Sequence, residues 1–96
     1  MIITVCGRVP LDANRFQVDL QCGSDIALHV NPRYDSRACV VHNTRQNGKW
    51  GSEEREYETP FPRDQLFSVQ ILVTHESYKI STNGKPFSEY KHRIPF

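Results

Sequence analysis

The sequence predicts an all-β domain, a sandwich or a barrel. Three observations carry this. Short segments of alternating apolar and polar residues are cut by turn residues every eight to twelve positions. Asn47-Gly48 and Asn83-Gly84 supply the residues that a tight hairpin needs, because a type I′ turn places both central residues at positive φ. No stretch shows the 3.6-residue apolar period of an amphipathic helix.

The first strand, near 2–9, opens on Ile2-Ile3-Thr4-Val5 and stops before Pro10. The second, near 15–21, sends Phe16, Val18 and Leu20 to the core and leaves Arg15, Gln17 and Asp19 on the opposite face. A tight connection at Gly23, Ser24 and Asp25 leads into the third, near 25–31. There Ile26, Leu28 and Val30 share one side, and Ala27, His29 and Asn31 the other. In the fourth, near 37–44, Asn43 has the parity of Cys39 and Val41, whereas His42 has that of Val40. If Asn43 faces outward beside His29 and Asn31, His42 points into the core.

The fifth segment, near 49–58, contains an irregularity. Trp50 is even-numbered while Glu53, Arg55 and Tyr57 are odd, so a regular strand would set the indole and the carboxylate on opposite faces. Gly51 allows a bulge that returns both to one side. After Pro60 and Pro62, the strand near 66–74 buries Phe67, Val69, Ile71 and Val73. The last two strands, near 77–82 and 86–92, flank Asn83-Gly84. The prolines at 10, 32, 60, 62, 86 and 95 fall in loops or at strand ends. With no linker, repeat or low-complexity stretch, the expectation is one domain over 1–96.

Composition sets limits on partners. Of the 96 residues, 38% are hydrophobic and 24% charged, as in an ordinary globular domain. The formal net charge of +1, with no basic run, offers no field for nucleic acid. No apolar stretch approaches transmembrane length, so no membrane insertion is expected. Cys6, Cys22 and Cys39 lack C-x-x-C spacing and cannot all pair within one chain. They read as free thiols in a reducing compartment. The amino-terminal residues lack the pattern of a secretory signal.

One constellation carries chemistry: His29-Val30-Asn31-Pro32-Arg33, then Val41-His42-Asn43, then Trp50-Gly51-Ser52-Glu53-Glu54-Arg55. A flat indole ringed by donors and acceptors on neighbouring strands is what a sugar requires. A pyranose lays its apolar C–H face on the ring and offers its hydroxyl rim to directional hydrogen bonds. Taken singly, each residue has a plainer reading: His75 and His92 as ordinary histidines, an Arg–Glu pair as a solvated cross-strand contact, a lone Trp as core. Their conjunction on successive strands is what a merely solvated sheet does not produce.

The constellation resembles the signature of the galectin family, H-x-N-P-R, V-x-N and W-G-x-E-x-R, with every element present. Arg15–Gln21, Asn43–Gly48, Thr82–Gly84 and the closing His92–Phe96 extend the likeness over essentially the whole chain. They most resemble an amino-terminal domain of a tandem-repeat galectin. The resemblance implies a two-sheet antiparallel jelly-roll sandwich that binds β-galactosides, lactose or N-acetyllactosamine in type, on its concave sheet. It implies that His29, Asn31 and Arg33 hold the axial O4, that Asn43 and Glu53 take O6, and that Trp50 stacks on the ring. Glu53, Arg33 and Arg55 would reach the following sugar. Arg15, Gln17 and Asp19 would line the groove beyond galactose and tune preference for extended or anionic glycans.

Family domains begin with an additional strand before Ile2 and continue past His92–Phe96, so the expected sandwich is incomplete at both ends. That predicts exposed strand edges and homo-oligomerisation or strand exchange with another copy. The alternative function is a truncated module that has lost sugar binding and acts as a protein-interaction or decoy partner. The resemblance also implies a cytoplasmic protein that can reach the cell exterior without a signal peptide. No cofactor or metal is expected. An enzyme is not expected either, because glycoside hydrolysis wants two carboxylates facing each other at roughly 5–10 Å. Glu53 and Glu54 are adjacent on a strand and point to opposite faces, and Arg55 should keep Glu53 ionised.

Overall fold

The computed structural model describes residues 1–35 and 37–95; Phe96, the end of the closing stretch, lies outside them. The described residues contain nine strands and no helix. The strands are β1 (Ile2–Arg8), β2 (Val18–Cys22), β3 (Asp25–Arg33), β4 (Cys39–Gln46), β5 (Lys49–Trp50), β6 (Glu54–Glu56), β7 (Leu66–Val73), β8 (Ser77–Thr82) and β9 (Lys85–Lys91). They form two antiparallel sheets, one in each of two compact units. One unit is 1–12 with 60–96, the other 13–59.

The first unit holds the sheet β1-β7-β8-β9. β7 alternates as its sequence demands, with Val69 and Ile71 buried and Gln70 and Leu72 exposed. Phe61 is buried with its ring edge-on to Phe67 at 5.6 Å. Gly7 makes room for Phe67, since a Cβ there would stand 3.0 Å from that ring. The hairpin between β8 and β9 turns on Asn83 and Gly84, at φ 51° and 82°, the left-handed pair expected of this dipeptide.

The second unit holds β2-β3-β4-β5, with β6 also pairing β4. Leu28 and Val30 on β3 and Val40 on β4 are fully buried. Asn47 and Gly48, at φ 53° and 76°, close the β4–β5 hairpin, and Gly23 at 62° the β2–β3 one. Register settles the faces. His29 pairs with Asn43 and Asn31 with Val41, so these four share one face, and Val30 pairs with His42 on the other.

Two segments depart from the expected elements. The second strand begins at Val18 rather than 15, and Arg15 is joined to β3 only by an isolated bridge to Arg33. Phe16 accordingly escapes the core: it is half-buried and stacks over Tyr34, with ring centroids 6.4 Å apart. The segment near 49–58 is two short strands, not one. Arg45 pairs with Trp50 and Val41 with Arg55, so five positions separate Trp50 from Arg55 where their partners are four apart. The extra residue reverses the parity of the chain between them. Trp50 and Arg55 therefore belong to the same face, as the bulge at Gly51 requires.

Candidate functional site

A groove of about 550 Å³ opens on that face of the second unit. It is lined by Arg15, Phe16 and Gln17 at one end, Trp50, Gly51 and Glu53 at the other, and His29, Asn31, Arg33, Val41 and Asn43 between. β3 and β4 supply the floor through alternation, and the bulge after Trp50 supplies the far wall. The 48% exposed indole leans over His29, ring centroids 4.6 Å apart and planes 50° from parallel.

The floor is held by hydrogen bonds that fix each polar side chain in one orientation. Asn31 Nδ2 donates to the Phe16 carbonyl at 2.7 Å, and its Oδ1 accepts from Arg33 Nε at 2.8 Å. Asn43 Nδ2 donates to the Gly51 carbonyl at 2.9 Å, while its Oδ1 accepts the Thr44 N–H at 2.8 Å. Gly51 N–H in turn donates to the Thr44 carbonyl at 3.0 Å. Asn43 thus ties the bulge to the floor. Both amides are nearly buried, so a missing partner would leave polar atoms unsatisfied at a cost of about 1–3 kcal/mol each.

His29 is fixed chemically as well as sterically. Its Nδ1 lies 2.6 Å from Asp19 Oδ1, and a carboxylate only accepts, so Nδ1 carries the proton. In the neutral ring that leaves Nε2 as an acceptor. The other Asp19 oxygen accepts from Gln17 Nε2 at 2.9 Å. Asp19 is absent from the groove lining, so it stands behind His29 rather than beside the cavity.

Charge organises the far wall. Glu53 Oε1 accepts from Arg55 Nη2 at 2.7 Å and Nε at 3.1 Å, and its Oε2 accepts from Arg33 Nη2 at 3.4 Å. The Arg55 hydrogen bonds, followed by the charges of Arg55 and Arg33, hold the Glu53 carboxyl below its ordinary range. Glu53 reciprocally raises Arg55. Arg55 does not line the groove; it braces Glu53.

On the opposite face His42 is buried, and its Nδ1–H donates to the Glu54 carbonyl at 3.2 Å. Burial pulls its pKa below the usual imidazole value, against the hydrogen bond and the charges of Glu56 and Glu54.

Six of the seven central residues singled out from sequence line one cavity: His29, Asn31, Arg33, Asn43, Trp50 and Glu53. Arg15 and Gln17 line its other end, and Arg55 and Asp19 act through their neighbours. Sequence reading did not single out Val41, Phe16 or Gly51 as lining. Val41 was legible, since it has the parity of Asn43; Phe16 was not, because alternation assigned it to the core.

The whole chain, residues 1–96, matches the family model for galactoside-binding lectins. The chain belongs to the galectin family. Among curated relatives it is 50% identical over 80 residues to Homo sapiens galectin-4, covering 83% of this chain and 25% of that protein. It is 40% identical over 99 residues to Rattus norvegicus galectin-8, covering 97% of this chain and 31% of that protein. Both are tandem-repeat galectins, and the chain spans about a quarter to a third of their length. The crystal structure of Xenopus laevis galectin-Ib superposes with a TM-score of 0.89 at 26% identity, over 99% of this chain and 75% of that one. The fold class is therefore the galectin one, all-β with two antiparallel sheets. Among the described residues, no three or more His, Cys, Asp or Glu side chains gather as a metal site would need. Among the described residues, no helix is long and apolar enough to cross a membrane.

Proposed function

We propose that this galectin chain binds β-galactosides in the groove of its second unit, without metal and without chemistry on the sugar. The observation that carries the reading is the half-exposed Trp50 indole standing over a floor of fixed donors and acceptors. The C–H face of galactose stacks on the indole. His29, Asn31 and Arg33 address the axial O4. The His29 Nε2 lone pair accepts from that hydroxyl, and the guanidinium of Arg33 donates to it and to the ring oxygen. Asn43 and Glu53 take O6. Glu53 and Arg33 reach the O3 hydroxyl of a following glucose or N-acetylglucosamine, with Arg55 holding the Glu53 carboxylate in place from outside the groove.

Selectivity follows from geometry. The axial O4 leaves one galactose face flat and apolar for stacking. An equatorial epimer would leave nearly buried polar groups unmatched, which costs more than a missing apolar contact. An open groove with one stacking ring and a few charged hydrogen bonds gives weak single-site affinity, on the order of 10–1,000 μM. Lactose-agarose retention of the purified chain tests the reading, with Trp50→Ala and Arg33→Ala as controls. Retention of the parent alone is expected. Failure of all three folded proteins to bind would instead favour a protein-interaction module without sugar binding.

A further inference from the structure

One charged residue lining the groove, Arg15, has no part in the scheme above. Arg15 pairs with Arg33, the last residue of β3, in an isolated bridge, and both line the groove, so two guanidinium groups stand at neighbouring positions on the same face. Such a pair repels unless each cation has a counter-ion. Glu53 serves Arg33. Asp35, two residues beyond Arg33, serves Arg15: its Oδ2 accepts from Nη2 at 3.1 Å and from Nε at 3.4 Å. The carboxyl of Asp35 is held below its ordinary range, first by that hydrogen bond and further by the charge of both arginines. Arg15 lines the groove; Asp35 does not.

We propose that Asp35 is a built-in counter-ion that occupies Arg15 and biases this groove toward neutral rather than anionic galactosides. The inference rests on the galactoside reading of the groove. A sulfate or carboxylate on the end of galactose nearest Arg15 must displace a carboxylate tethered beside it, which competes as an intramolecular ligand at high effective concentration. Asp35 also repels the arriving anion directly. Both effects vanish when its charge is removed. Arg15 is then left uncompensated next to Arg33, and the groove end becomes an anion site. The pair is about half exposed, side chains 53% and 46%, so water and salt moderate the effect without abolishing it.

The test is calorimetric titration of the whole chain with lactose, 3′-O-sulfated lactose and 3′-sialyllactose at low ionic strength. The proteins are the parent, D35N and D35N combined with R15A, with D35S as a second charge-removing variant. In D35N and D35S, affinity for at least one anionic sugar rises roughly two- to fivefold, as removal of an exposed pairing partner allows. Lactose affinity stays unchanged. The gain disappears in the R15A background and shrinks with added salt. An equal change for lactose and the anionic sugars, no gain in either folded variant, or a gain that survives R15A overturns the role of Asp35 alone. A folded parent that does not bind lactose overturns the galactoside reading, and this inference with it.

Discussion

Removing the Trp50 ring is the most direct assault on the proposed site, and its size can be worked from exposure. An aromatic side chain has roughly 150–250 Å² of surface to bury, and the indole is 48% exposed, which leaves about 100 Å² for a sugar to cover. At about 25 cal/mol per Å², covering that area contributes roughly 2.5 kcal/mol, or about a 60-fold change in affinity. A parent dissociation constant on the order of 100 μM would move to several millimolar in Trp50→Ala, beyond retention on lactose-agarose. The fold loses some stability as well, by about 1–2 kcal/mol, because the covered half of the ring packs over His29, and the variant stays folded. Titration calorimetry with lactose, beside a thermal melt of each protein, measures both. A variant that melts cooperatively and binds lactose within about threefold of the parent would refute stacking as the main contribution.

Three further outcomes are expected. Glu53→Gln removes the charge that braces Arg33 and Arg55 together, so lactose affinity should fall roughly tenfold with little change in melting temperature, as calorimetry and melts would reveal. Asp19→Ala takes away the acceptor that fixes the His29 proton on Nδ1. Nitrogen-detected NMR should then show His29 shifting toward the Nε2–H form, with about tenfold weaker lactose binding although Asp19 does not line the groove. Acid should weaken the fold through His42. Its pKa lies below the ordinary 6.5 because of burial, so below that pH the unfolded chain binds a proton that the folded one refuses. That contribution is intact above the ordinary value and declines as pH falls toward the lower, folded one. Melts across pH 5 to 7.5 should show a shallower decline in His42→Leu than in the parent, although the variant forfeits the bond to Glu54.

The strands and their faces were legible because they depend on local rules. Alternation along β3 and β4 put His29, Asn31 and Asn43 on one side, and cross-strand register did the same. The Asn-Gly hairpins were legible for the same reason, since only a few residues tolerate positive φ. The parity that sets Asn43 beside His29 sends His42 to the opposite face, where it is buried and donates to the Glu54 carbonyl. The conflict of parity between Trp50 and Glu53 was visible too, and Gly51 marked where it would be resolved.

Other features had no local signature. That Phe16 escapes the core follows from the late start of β2, which depends on where pairing with β3 begins. Asp19 carries the parity of a groove residue, yet the geometry of His29 and Gln17 turns it into a support behind the cavity. Asp35 sits in an irregular stretch, where no periodicity assigns a direction.

The amino-acid order alone determined the all-β class, the turn positions and which side chains could share a face, because strand alternation and turn chemistry act over a few residues. Only the tertiary structure decided which of those side chains touch a cavity, which brace one another, and which proton His29 carries. Those outcomes depend on distances of about 3 Å between residues that lie 10 to 20 positions apart in the chain.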